Sequence, residues 1–303
     1  MYRIASCPCC EAPITRTVPV VIAPFIRERA VGADVSTGAL SNCPECGFCC
    51  YCDRYDESEV AAIYRGYRGE SYLRQRRRHE PWYTRSINAA IGGPKEVARR
   101  NARLQAFLLS HGVFESSRSV LDWGGDRGQF IPEHFNERFV YDISGVETVS
   151  GVVALKREQV AASEFDLVIL AHVLEHASDP VAVLRDVLST RTKLLYVEVP
   201  YEPLSLKSAH ESSTYARWVS GLARSPFYPA VAFISVALRV KFGLMPPFAV
   251  LQQHEHLNYF TESTLAGLLR KLGCEIVATT AYGSSDGYEK ADSLGVLARA
   301  PTG

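Results

Sequence analysis

A cluster of acidic residues and glycines near the middle of the chain has the spacing of a ligand-binding turn. Asp122 ends an apolar run, and three glycines follow it closely: Gly124, Gly125 and Gly128. Glycine permits sharp turns and lets a ligand approach the backbone, because it has no Cβ. Asp142 ends the next apolar run, where an acid can accept hydrogen bonds from both hydroxyls of a ribose. The spacing therefore predicts a nucleoside cofactor over the carboxyl ends of parallel strands.

Cysteines near the N-terminus form a second set of residues that can do chemistry. Eight of the nine cysteines lie within the first 52 residues. Two Cys-x-x-Cys pairs stand out, Cys7 with Cys10 and Cys43 with Cys46, and two such turns present four thiolates to one tetrahedral ion. The pattern predicts a zinc-ribbon-like domain over residues 1–56 with a structural zinc. The surplus cysteines are Cys9, Cys49, Cys50 and Cys52, and Cys49 with Cys52 is an alternative to one of the pairs.

Alternating strands and helices must position the glycine cluster. The predicted elements are strands at 166–170, 193–199, 275–281 and 294–298, and helices beginning at Phe130, Asp179 and Thr261. This alternation is typical of a doubly wound α/β sheet, here over residues 119–303. The last two strands are joined without a helix, which predicts an antiparallel strand at the sheet edge.

A linker precedes this sheet domain, and an insert lies within its bounds. Residues 57–118 predict a helical linker that contains a Tyr- and Arg-rich stretch, including Tyr72 and Arg76. Arginines of this kind bind phosphates, or form a solvated basic face. Residues 203–250 predict a helical insert, whose apolar run is shorter than the ~20 residues of a membrane span. The insert is interpreted as a lid, a dimer surface or a peripheral membrane contact.

The charge balance and the N-terminal residues bear on the partners and the compartment of the protein. Lys and Arg total 33 residues and balance the 33 Asp and Glu, so charge indicates neither nucleic acid nor acidic lipid as a partner. The first residues lack the apolar core of a signal peptide, and we expect a cytoplasmic protein. The oligomeric state is not determined by these features.

The motifs resemble those of class I S-adenosylmethionine-dependent methyltransferases. Asp122, Gly124 and Gly128 match the family's glycine motif, with Asp126 at its middle glycine, and residues 172–180 resemble its second signature. The resemblance implies a mostly parallel, seven-stranded Rossmann-like sheet and S-adenosylmethionine as the cofactor. The implied cofactor-binding residues are Asp122, Gly124, Gly125, Gly128, Asp142 and His172.

More narrowly, the order of motifs is similar to that of zinc-containing sugar C-methyltransferases. Residues 254–260 resemble the stretch in which that family carries a Glu-His pair for proton abstraction, which implies Glu255 and His256 as the catalytic base pair. The implied acceptor is sugar-like, either a nucleotide-linked sugar or a glycan, or another small molecule. Asp126 and Gln253, which replace the family's glycine and tyrosine, favour the alternative of a non-catalytic, zinc-bearing scaffold that binds a partner.

Overall fold

The computed structural model describes residues 1–67, 69–202, 204, 208–242, 244, 248–283 and 291–301. In chain order, its strands are β1 (Tyr2–Arg3), β2 (Val18–Ile22), β3 (Thr37–Asn42), β4 (Cys49–Tyr51), β5 (Asp53–Arg54), β6 (Ser119–Trp123), β7 (Glu137–Tyr141), β8 (Val153–Ala154), β9 (Leu167–Ala171), β10 (Leu194–Pro200), β11 (Gln252–Gln253), β12 (Asn258–Tyr259), β13 (Glu275–Gly283) and β14 (Ala291–Arg299). The α-helices are α1 (Pro24–Ile26), α2 (Glu57–Tyr64), α3 (Glu70–His79), α4 (Arg85–Ala90), α5 (Pro94–Ser110), α6 (Val113–Ser116), α7 (Arg157–Ala161), α8 (Pro180–Leu188), α9 (Ser213–Leu222), α10 (Tyr228–Phe242) and α11 (Glu262–Lys271). A π-helical segment at Arg27–Val31 and a 3-10 turn at Ser208–Glu211 complete them.

The chain divides into two compact units. The first unit combines Met1–Ala89 with Pro203–Tyr259, and the second combines Ala90–Glu202 with Phe260–Gly303. The insert expected at 203–250 therefore belongs to the first unit, whereas the sequence boundaries placed it within the sheet domain. The linker expected at 57–118 is divided between the two units.

The second unit is organised by a large mixed sheet. Among the described residues, seven strands follow the order β13-β14-β10-β9-β6-β7-β8. The pairs from β10 to β8 are parallel, and β14 runs antiparallel to both of its neighbours. The expected doubly wound, mostly parallel sheet is confirmed, but the antiparallel strand lies second from the edge. It lies there because β14 inserts between β10 and β13 instead of adding outside them.

Apolar patterning explains why these elements pack as they do. The central strands β6 and β9 are almost wholly buried, as expected for strands covered on both faces. Helix α5 buries Leu104, Phe107 and Leu108, which is the apolar stripe that the sequence predicts. At α8 and α11, Asp179 and Thr261 accept hydrogen bonds from the backbone N–H groups of the first turn, as N-caps do.

The segment after the glycine cluster differs from its prediction. Residues 124–136, all of them described, form successive turns and no helix. Ile131 N donates to Gly128 O at 3.3 Å, but Pro132 has no N–H and restricts the residue before it. Ile131 precedes the proline and so disfavours the α conformation, which interrupts a helix beginning at Phe130, and the chain continues in turns as far as β7.

The first unit contains a different sheet, which joins distant parts of the chain. Within the described residues, its five strands follow the order β11-β2-β3-β4-β12. Gln252 and Gln253 pair with Val21 and Ile22, and β12 pairs with β4. Residues 252–259, which the sequence placed with the sheet domain, therefore complete the sheet of the N-terminal segment.

The insert is helical, as predicted. Helix α9 begins at the N-cap Ser212 and buries Tyr215, Val219 and Leu222. Helix α10 follows it, and Pro246 and Pro247, expected to end its apolar run, lie outside the described residues. Among the described helices, none is long and apolar enough to cross a membrane.

Candidate functional site

The glycine loop after β6 is tight enough to exclude side chains. Gly124 and Gly128 have φ values of +75° and +73°, the left-handed region that favours glycine. A Cβ on Gly125 would lie 2.2 Å from the carboxylate of Asp122, and one on Gly124 would lie 2.7 Å from Val173 Cγ2. Each glycine is therefore required by the local packing.

Asp126, which replaces a glycine of the family motif, adopts the backbone conformation that glycine would. Its φ is +55°, and Asp enters this region more readily than most residues. Its carboxylate accepts a hydrogen bond from Gln129 Nε2 at 3.2 Å. The substitution therefore preserves the loop, which removes one of the two reasons for the scaffold alternative.

Asp122 is a buried acid beneath the loop. Burial raises the pKa of its carboxyl group to about 7, the carboxylates of Asp142 and Asp126 add to this effect, and Arg100 opposes it. The group therefore exchanges its proton near neutral pH instead of near its ordinary value of 3.8.

Asp142, at the end of β7, organises the same loop. Its Oδ2 accepts a hydrogen bond from Asp126 N at 2.9 Å, and its Oδ1 accepts one from Ser144 N at 2.7 Å. Each carboxylate oxygen has a second acceptor position, so these bonds leave capacity for a diol. The residue thus braces the turn and retains the chemistry expected of a ribose ligand.

His172 lies just after β9 in an uncommon backbone conformation, with a φ of +58°. Its Nδ1 lies 3.3 Å from Glu175 Oε1, and its Nε2 lies 3.2 Å from Glu198 Oε1. Burial acts to lower the pKa of the imidazole, but the two carboxylates outweigh it and raise the pKa to about 9. His172 is therefore a cation at neutral pH, held between two acids.

The sequence interpretation missed Glu198 and its partners. Oε1 of Glu198 accepts from Ser293 Oγ at 3.0 Å, and Oε2 accepts from Tyr196 OH at 2.8 Å. Although burial acts to raise the pKa of Glu198, His172, Arg100 and Tyr196 lower it to about 2. The available signal was one acidic residue within the otherwise apolar strand β10.

The four predicted zinc-ligand cysteines converge in the first unit. The Sγ atoms of Cys7, Cys10, Cys43 and Cys46 all lie within 4.8 Å of one another. Both turns have the same backbone hydrogen bond: Glu11 N donates to Cys7 O at 2.8 Å, and Gly47 N donates to Cys43 O at 2.9 Å. Four soft sulfur donors in this arrangement fit zinc. The alternative pair, Cys49 and Cys52, is buried on and just after β4.

Glu255 lies in the loop between β11 and β12, bound to helix α3. Its Oε1 accepts hydrogen bonds from Tyr72 OH and Arg76 Nη1, both at 3.0 Å. Arg76 also donates to Glu80 Oε2 at 2.9 Å, so two carboxylates share this guanidinium. The sequence left phosphate binding and a solvated basic face as alternatives for this stretch, and the structure pairs its Tyr72 and Arg76 with Glu255.

His256 and Gln253, one residue after and two residues before Glu255, have different surroundings. His256 is half-buried in the same loop. Gln253, which stands where the sugar C-methyltransferases have a tyrosine, is fully buried, and its Nε2 donates to Asp53 O at 2.7 Å. Gln253 therefore anchors β11 within its own unit.

The strand order of the second unit and its glycine loop define a Rossmann-like protein with the class I methyltransferase fold. A family model described as a methyltransferase domain matches residues 95–279, more than half of the chain. The chain belongs to this methyltransferase-domain family, which confirms the predicted enzyme class. A search of curated proteins finds no match.

Three of the solved structures with detectable similarity are methyltransferases as well. The 1,6-didemethyltoxoflavin-N1-methyltransferase of Burkholderia thailandensis aligns with a TM-score of 0.47 and 14% identity, over 88% of this chain and 96% of that one. The magnesium protoporphyrin IX methyltransferase of Synechocystis PCC 6803 aligns with a TM-score of 0.39 and 14% identity, over 66% and 82%. N-methyltransferase NodS of Bradyrhizobium japonicum WM9 aligns with a TM-score of 0.37 and 15% identity, over 67% of this chain and 98% of that one. Structural similarity at this level does not indicate the acceptor.

We expect the His172 cluster to make stability depend on pH. The raised pKa of His172 stabilises the fold fully below pH 6.5, and this contribution is lost as pH rises through about 9. The lowered pKa of Glu198 stabilises it above pH 4.5, and this contribution is lost as pH falls through about 2. Denaturant unfolding of His172→Gln should therefore lack the decline between pH 6.5 and 9, at most about 3 kcal/mol.

Asp122→Asn is the matched control for this measurement. The raised pKa of Asp122 makes stability fall as pH rises from 3.8 to about 7. Asp122→Asn should therefore lose this decline and keep the decline between pH 6.5 and 9 that His172 causes. An unchanged decline between pH 6.5 and 9 in His172→Gln would contradict the assignment.

Proposed function

We propose that the protein transfers the methyl group of S-adenosylmethionine to a small acceptor. The observation that carries this proposal is the loop of Gly124, Gly125 and Gly128, which no side chain can fill, in a chain of the methyltransferase-domain family. Bound S-adenosylmethionine would supply an electrophilic methyl group. The contribution of the protein is to hold cofactor and acceptor in line, which can lower the barrier by roughly 7–11 kcal/mol.

Six residues are proposed to bind the cofactor. Gly124, Gly125 and Gly128 provide a backbone surface without side chains, and Asp122 supports that surface from below. Asp142 accepts the ribose hydroxyls while its bonds to the backbone hold the loop. His172 is assigned to the methionine end, where the adjacent carboxylates of Glu175 and Glu198 offset its positive charge.

For the acceptor, we propose a sugar-like molecule, nucleotide-linked or part of a glycan, with Glu255 and His256 as the base pair. The support is the resemblance of residues 254–260 to the sugar C-methyltransferases. The contacts of Glu255 with Tyr72 and Arg76 add to it, because they fix the carboxylate in one position. A histidine suits proton abstraction, since its ordinary pKa lies near neutral pH.

We also propose that Cys7, Cys10, Cys43 and Cys46 hold one structural zinc. Four protein ligands leave no open coordination position, so this metal would stabilise the first unit without taking part in the reaction. Its removal should therefore act on folding.

Titration with S-adenosylhomocysteine tests the cofactor site. Asp142→Asn should weaken binding about tenfold or more, because bonds from ribose hydroxyls to a charged acceptor contribute roughly 1.5–3 kcal/mol each. Glu147→Gln, an exposed change in the same segment, should bind normally. Equal affinity of Asp142→Asn and wild type would place the ribose elsewhere.

Turnover of His256→Ala tests the base. The variant should bind S-adenosylhomocysteine normally and lose about a hundred- to ten-thousand-fold in rate, because a general base acts on the acceptor. Nucleotide-linked deoxysugars are the first acceptors to screen. Near-normal turnover by a stably folded His256→Ala protein would refute this role, and a parallel loss of thermal stability would make the residue a loop brace.

Metal analysis of the purified protein tests the zinc site. We expect about one zinc per chain, lost in Cys43→Ser together with thermal stability, since metal binding couples to folding. Cys274→Ser, which changes a buried cysteine of the other unit, should retain the metal. Wild-type protein that is folded without zinc would contradict the proposal.

A further inference from the structure

The first unit contains a cavity of about 200 Å³ that the methyltransferase reading does not use. One wall comes from Arg76, Glu80 and Trp82, at and after the end of α3. The opposite wall comes from Val236 of α10 and from Gln252 of β11. The cavity thus joins the insert to the Tyr- and Arg-rich stretch, whose Arg76 also holds Glu255.

Two buried polar atoms on these walls lack a hydrogen-bond partner among the described residues. They are Oε1 of Glu80, a residue only 7% exposed, and Nε2 of Gln252. His254 Nε2 lies 3.5 Å from Glu80 Oε1, but its hydrogen bond is with Gln252 Oε1 at 3.1 Å. A buried polar group without a hydrogen-bond partner is destabilising, so native structures seldom retain one. One atom accepts hydrogen bonds and the other donates them. A ligand hydroxyl can satisfy both types of atom.

The charges around the cavity disfavour an anionic ligand. The guanidinium of Arg76 faces Glu80 at 2.9 Å and Glu255 at 3.0 Å. The imidazole of His254 faces the same two acids, with Nε2 3.5 Å from Glu80 Oε1 and Nδ1 3.7 Å from Glu255 Oε2. Both basic groups of the lining are therefore already offset by carboxylates, which would repel a phosphate or carboxylate bound here.

The aromatic and aliphatic part of the remaining lining suits one face of a ring. Val236, Val250 and Leu251 contribute aliphatic surface, and Trp82 contributes an aromatic side chain held against Phe233 with ring centroids 5.4 Å apart. Tyr51, Ser235 and His254 complete the lining; the Tyr51 hydroxyl donates to Gln252 O and the Ser235 hydroxyl to Val231 O. The volume is below the ~300–1,000 Å³ of sites for drug-sized ligands, which limits the occupant to about one ring.

We infer that this cavity binds a neutral hydroxylated ring, that is, a monosaccharide unit or a cyclic polyol. Ring hydroxyls donate to Glu80 Oε1 and accept from Gln252 Nε2, while the C–H face of the ring packs against Trp82 and the aliphatic wall. The proposed base Glu255 lies in the same unit and accepts from Arg76 of the cavity wall. Binding of a ring is measured without turnover, so the inference does not rest on methyl transfer.

Ligand-observed NMR on the full chain tests the ligand class. The probes are methyl α-D-glucopyranoside and methyl α-L-rhamnopyranoside as neutral rings, methyl glucuronoside as an anion, and cyclohexanol as a ring with a single hydroxyl. At least one neutral glycoside should bind with a Kd in the millimolar range, and the other two probes at least tenfold more weakly. Absence of binding by both glycosides, or equal binding of the glucuronoside, would overturn the inference.

Two variants with matched controls localise the binding. Val236→Phe should abolish it by filling the cavity, whereas Ile234→Phe, at a half-exposed position of the same helix, should leave it intact. Glu80→Gln should weaken binding about tenfold, and the exposed Glu57→Gln should not.

Thermal unfolding of each variant shows whether it is folded. Val236→Phe keeps the test decisive even if Glu80→Gln is unstable. Wild-type affinity in a folded Val236→Phe protein would refute the site. Failure of the S-adenosylhomocysteine titration would leave these results unchanged, so the two proposals fail separately.

Discussion

A cation held between two carboxylates organises the polar interior of each unit. In the second unit the cation is His172, between Glu175 and Glu198, and in the first it is Arg76, between Glu80 and Glu255. Charges removed from water are costly unless they are paired and hydrogen-bonded, so loss of one member leaves its partners uncompensated. The side chains best suited to proton chemistry are therefore also those that the fold most needs to keep in place.

The glycine loop is likewise shaped by buried acids in a tightly packed space. Asp122 lies beneath Gly125 and Asp142 accepts from the backbone of Asp126, so two acids shape a turn that contains almost no side chains. Asp126 adopts a left-handed φ without breaking the turn. Asp126 at the middle glycine of the motif is thus structurally compatible with the methyltransferase interpretation.

Pairing between distant segments explains the division into units. Strands β11 and β12 lie about 200 residues beyond their partners β2 and β4, and they bring the insert into the N-terminal unit. The cavity beside Glu80 exists because of this pairing, since its walls come from α3, α10 and β11. A zinc at the four cysteines would fix the turns that precede β2 and β4 in the same sheet.

The sequence by itself determined the features that arise from neighbouring residues. The central strands, the caps at Asp179 and Thr261, the glycine turn and the two cysteine turns all follow from local spacing, because backbone conformation and nearby hydrogen bonds specify them. The failed helix after Gly128 is also local, and Pro132 signalled it.

Only the tertiary structure decided which of these features meet. Residues far apart in the chain come together in three places. Strand β14 inserts between β10 and β13, Glu198 pairs with His172, and Glu255 pairs with Arg76. Residue type gives no indication of such partners, because long-range register is set by the packing of whole elements. The chemistry of each side chain was therefore readable from the sequence, whereas its partners and its charge state depended on the fold.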